Sequence, residues 1–112
     1  IHILKTLEQL GIAGAVADRL RIFPNGATAM RELAGSKVGR PIGCTQSTEI
    51  ISTVGVTLSG VLPPGCELST MYTAGITTKA AHMTEARSLI GILTGAGQRD
   101  AREHAGFVSD RS

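Results

Sequence analysis

Apolar positions along the chain fall into several short patterns with different periods. Ile3, Leu4, Leu7 and Leu10 share one helical face, with His2, Lys5, Glu8 and Gln9 on the other. Gly11 is a natural stop for that helix, and a second short helix is predicted from Ala13 to Leu20. Arg21-Ile22-Phe23 reads as a brief strand ended by Pro24. Asn25 is a good N-cap for a helix whose buried stripe is Ala27, Met30, Leu33 and Ala34. Pro41-Ile42-Gly43-Cys44 reads as a short buried strand, and a helix opens after it within Thr45-Gln46-Ser47-Thr48-Glu49. Strands are predicted over Gly55 to Leu62 and over the alternating Leu68, Thr70, Tyr72, Ala74 and Ile76, with a Pro63-Pro64-Gly65 turn between them. Thr84 then caps a helix with the face Ala86, Leu89, Ile90 and Leu93. Gly95 to Gly97 breaks it, and a last helix runs from about Gln98 to Ala105 before Gly106 and Phe107. Alternating helices and strands predict an α/β class with a small mixed sheet flanked by helices.

Composition narrows the function classes. Eleven Lys and Arg against nine Asp and Glu give a net charge of +2 and no basic stripe. Only Phe23, Tyr72 and Phe107 are aromatic, so a base-stacking nucleic-acid surface is not expected. No apolar run approaches the roughly 18 residues of a helical membrane span. Cys44 and Cys66 are too few for a disulfide scaffold, and no Cys/His cluster points to a metal. They read as two small thiols, with a single bridge as the other arrangement. His2, His82 and His104 are far apart in sequence, and GxSxG, HExxH, P-loop and GxGxxG motifs are all missing, so neither an enzyme nor a cofactor is expected. Glu49 has no second carboxylate beside it and reads as a first-turn acid that favours the helix dipole.

Two segments share one physical form. Phe23-Pro24-Asn25-Gly26-Ala27-Thr28 and Ile42-Gly43-Cys44-Thr45-Gln46-Ser47 each run into a helix start. A helix N-terminus carries unpaired N–H groups and about half a positive charge. Two such ends converging make a small-anion site without Lys or Arg. The candidate ligand residues are Asn25, Gly26, Ala27, Thr28, Thr45 and Gln46. The expected seat for an anion is against the N–H groups of Gly26 and Ala27, near Gln46.

The stretches LEQLGIAGAVADRL, FPNGATAMREL, RPIGCTQSTEI, VTLSGVLP, STMYTAGITTKAA and EARSLIGILTGAGQRDAREHAGF carry a resemblance over nearly the whole chain. It resembles the C-terminal half of molybdate-binding-type periplasmic solute-binding proteins of ABC importers. The resemblance implies a periplasmic-binding-protein type II lobe over residues 1–78, incomplete at its N-terminus. Residues 79–112 would be closing helices that return to a missing first lobe. It also implies a periplasmic or extracytoplasmic location, a molybdate-like oxyanion as ligand and an ABC permease as partner. Gln46 stands where the family has Tyr, and its amide accepts as well as donates, which opens the site to protonated ligands or to ligands that are not oxyanions. The rival reading is the ligand-sensing effector domain of a transcription regulator. The amphipathic pattern begins at once, at Ile1, and reads as part of something longer. On that reading the chain alone is expected to self-associate, with residues 83–107 buried in the contact or exchanged between copies.

Overall fold

The computed structural model describes residues 2–108. Helix α1 (His2–Gln9), α2 (Ala13–Val16), α3 (Gly26–Ala34), α4 (Ser47–Ile51), α5 (Met83–Thr94) and α6 (Arg99–His104) follow in order, with 3-10 turns over Ala17–Arg19 and Ala96–Gln98. The chain divides into two compact units, Ile1–Ser69 and Thr70–Ser112.

No strand is present among the described residues, which overturns the α/β expectation and with it the periplasmic-binding-protein type II lobe with a small mixed sheet. Residues 21–23, 41–44, 55–62 and 68–76 enter no backbone ladder. Alternation along a chain says which side chains would share a face. A strand also needs a second backbone within hydrogen-bonding reach, and that is a tertiary condition. Nor is the 41–44 run buried: Ile42 is 91% exposed.

The helical readings fare better because their bonds are local. Gly11 takes a positive φ of 70°, its N–H bonds Glu8 O at 3.0 Å, and the Ile12 N–H bonds Leu7 O at 3.0 Å. This is the double-bonded Schellman ending. Gly106 repeats it, with its own N–H on Glu103 O and the Phe107 N–H on Arg102 O, both at 3.0 Å. The predicted second helix is split, its last turn tightening to a 3-10 turn over Ala17–Arg19. α5 begins one residue before the predicted cap, after His82 rather than Thr84.

In the first unit α1 sits with Ile3, Leu4 and Leu7 half-buried. Thr6 is buried, and its hydroxyl donates to His2 O at 3.2 Å. His2, which the pattern assigns to the polar face, is half-buried instead, and its Nε2 lies 2.9 Å from Cys66 O. That contact ties α1 to the 63–66 turn, closed by the Cys66 N–H on Pro63 O at 2.9 Å. α3 packs against α4, with Met30 only 1% exposed. Met30 and Cys66 are the buried apolar side chains among the described residues.

The second unit is a helical hairpin closed by one cation. The Arg102 Nη1 donates to Leu93 O at 2.7 Å and to Gly95 O at 2.8 Å. It therefore caps the C-terminal end of α5 from α6, where helix carbonyls lack partners and carry partial negative charge. Tyr72 and Phe107 meet edge to face, with ring centroids 5.6 Å apart. Leu89 and Leu93, on the predicted face of α5, are more than half exposed, while Ala86 and Ile90 are half-buried. Arg102→Met keeps the aliphatic stem and removes both bonds. The expected cost is about 1 kcal/mol, because one of the bonds faces water. Limited proteolysis checks it: the variant is cut faster between α5 and α6, and an unchanged rate would show that the hairpin holds without this cap.

Candidate functional site

The start of α3 is built by Asn25. Its backbone is extended, its Oδ1 accepts from the Thr28 N–H at 2.8 Å, and its carbonyl accepts from the Ala29 N–H at 3.1 Å. Helix geometry leaves the N–H groups of Gly26 and Ala27 outside the ladder. α4 begins after Gln46, whose carbonyl accepts from the N–H groups of Glu49 at 3.0 Å and Ile50 at 3.2 Å.

The two helix starts meet. A methyl built on Gly26 would overlap Thr45 Oγ1 and Glu49 Oε2, and would lie 2.8 Å from Glu49 Cδ. Gly26 is therefore a contact glycine: the missing side chain lets Thr45 and Glu49 close on the backbone of α3. Thr45 Oγ1 in turn donates to Glu49 Oε2. The Glu49 carbonyl accepts from Thr53 Oγ1 at 2.7 Å and Ser52 Oγ at 3.2 Å.

Of the six candidate residues, Gly26 and Thr45 are in contact, and Asn25 and Thr28 bond each other. Gln46 neighbours Thr45 and caps α4, while Ala27 is half-buried one residue into α3. Two charged groups at these helix starts lie outside the candidate set, Glu49 at the contact itself and Arg31 on the first turn of α3. The Glu49 carboxylate is in the first turn of α4 and against the start of α3, so one negative charge faces two helix N-termini. The Arg31 Nη2 donates to Thr28 Oγ1 at 3.2 Å, bringing a cation to the first turn of α3. Both were within reach of sequence spacing. Thr28 and Arg31 are i,i+3 neighbours on a helix, and Gln46-x-x-Glu49 has the spacing of a capping box.

The remaining candidate chemistry is dispersed. Cys44 and Cys66 are both free thiols, so the single bridge is not formed. Cys44 lies at the surface, but neighbours screen its sulfur from water, and that desolvation pushes the thiol pKa up from its ordinary value. A raised thiol pKa suits an inert cysteine, since the thiolate is the reactive form. His104 Nδ1 lies 2.7 Å from Asp100 O, one turn back on its own helix. Among the described residues no three His, Cys, Asp or Glu side chains group as metal ligands, and no helix is long and apolar enough to cross a membrane.

Comparison of the chain with protein-family models, with curated proteins and with solved structures returns no match.

Proposed function

We infer that the chain is the ligand-binding part of an extracytoplasmic solute-binding component of an ABC importer, and that it takes a small oxyanion of the molybdate type. One observation supports the reading above the others. Gly26, at the start of α3, is in direct contact with Thr45 and Glu49, at the start of α4. The resemblance of the NGATAM and PIGCTQSTE segments to the solute-binding family points to the same two turns.

The arrangement gives the binding step a definite chemistry. The N–H groups of Gly26 and Ala27 and the hydroxyl of Thr45 are neutral donors, which suits a ligand that must later be handed on to a permease. Glu49 already presents a carboxylate at this place. An incoming oxyanion therefore displaces the chain's own anion, and release is the reverse exchange. Arg31, held on Thr28, offsets part of the repulsion.

Calorimetric titration with sodium molybdate tests the reading, with sulfate as the competing oxyanion. Binding that is lost on competition and absent from a Gly26→Val variant is the expected result. No heat with either anion would remove the oxyanion reading. Gln46→Ala is expected to weaken molybdate binding by about 1 kcal/mol, the net worth of one hydrogen bond from an exposed side chain. Unchanged affinity would take Gln46 out of the site.

A further inference from the structure

Asn25 is the only asparagine in the chain, it is exposed, and Gly26 follows it. An asparagine amide is thermolabile because the next backbone nitrogen can attack it, and glycine puts no Cβ in the way of that ring closure. The fold holds the attack off. The Asn25 side chain is engaged, its Oδ1 accepting from the Thr28 N–H at 2.8 Å. Closure also needs the Gly26 nitrogen to eclipse Cβ about the Cα–C bond, and the Asn25 ψ of 165° leaves it well away from that position. Gly26 itself is pinned, with Thr45 and Glu49 against it.

We propose that Asn25–Gly26 is a self-modification site, converted to aspartate and isoaspartate at a rate set by the opening of the α3 start. The Gly26 nitrogen gives its proton to solvent base and bonds to Asn25 Cγ. The bond from Cγ to the side-chain nitrogen breaks, and that nitrogen takes up a proton and leaves as ammonia. Water then opens the succinimide. Breaking the new bond from Cγ to the Gly26 nitrogen gives aspartate with the ordinary peptide link. Breaking the bond from the residue 25 carbonyl carbon gives isoaspartate, whose main chain runs through Cβ and Cγ. One water is consumed, one ammonia is released, and nothing is oxidised or reduced. Either product is a carboxylate, so the net charge of +2 falls by one. The products differ in what they do to α3. Aspartate keeps an oxygen for the Thr28 N–H and is as good a cap as asparagine. Isoaspartate adds a carbon to the main chain, which moves Gly26 against Thr45 and Glu49 and displaces the carbonyl that accepts from the Ala29 N–H. The 9 residues of α3 are too few to stand as a helix without their packing, so its start opens whenever that packing lets go. The proposal stands independently of the oxyanion reading.

Ageing the whole chain in warm, mildly alkaline buffer, with and without unfolding urea, is the test, read by peptide mass spectrometry. The peptide holding residue 25 is expected to gain the mass of an amide-to-acid exchange and to elute as two species. Conversion in buffer is expected to be slower than in urea by about tenfold or more, since the cap must open first. Gln9, Gln46 and Gln98 must close a larger ring and stay unchanged over the same time. Amide exchange on the separated, refolded products then shows the Thr28 N–H protected in the aspartate form and unprotected in the isoaspartate form. No conversion at residue 25 in urea overturns the proposal, and so does a glutamine that converts first. Equal rates in buffer and urea overturn the control by α3. A single product, or equal Thr28 protection in both, overturns the two outcomes assigned to the cap.

Discussion

Met30→Ala lowers the unfolding free energy of the first unit by about 2–5 kcal/mol, the usual cost of truncating a buried Met. Met30 is 1% exposed, and Cys66 is the other buried apolar side chain among the described residues. Its methyl is also what the chain at Gly43 rests on: a Cβ built there would lie 2.6 Å from Met30 Cε and 2.8 Å from Leu33 Cδ2. A unit of this size holds only about 3–10 kcal/mol of stability at ordinary values per residue. Removing one anchor therefore takes a large share of it. Urea unfolding followed by circular dichroism reads the change as a lower midpoint. Val38→Ala is the control: Val38 is 68% exposed, and the expected shift is within about 0.5 kcal/mol. If both variants unfold at the wild-type midpoint, α3 is not held by its buried face.

On the proposed oxyanion reading, Glu49→Gln is expected to tighten molybdate binding by about tenfold or more. The reason is Coulomb's law at close range. Two unit charges 4 Å apart near a protein surface repel by about 4 kcal/mol, and a displaced side chain recovers part of this by moving into water. Glutamine keeps the oxygen that accepts from Thr45, so the junction of α3 and α4 is held while its charge is gone. Salt supplies the second arm. On the same reading, wild-type affinity is expected to depend on ionic strength through Glu49, and that dependence to flatten in the variant. Equal affinity in both proteins at every salt concentration would show that the Glu49 carboxylate is not where the oxyanion binds. Binding by neither protein would instead count against the proposed ligand itself.

Both effects depend on contacts that chain order shows only in part. Asn25 as the cap of α3, the amphipathic faces of α1 and α3, and the glycine endings at Gly11 and Gly106 follow from the residues themselves. Each is closed by bonds reaching five residues or fewer, so local spacing is enough to specify it. The break at Gly95–Gly97 is legible for the same reason. By contrast, the capping of α5 by Arg102 spans nine residues and was not visible as a pattern.

The two turns of the candidate site were recognisable from sequence as helix starts. That they touch was decided by the packing of α3 on α4, and so was the entry of Glu49 into the space beside Gly26. A carboxylate in a first helical turn is explained locally by its own helix dipole, and that explanation hides the second helix it also serves. The runs 55–62 and 68–76 mark the other limit. Both read as strands, the second by its alternation, yet they form no ladder among the described residues. A helix satisfies its backbone from within, so its sequence can specify it alone. A strand must find a second backbone, and only the tertiary structure decides whether one is there.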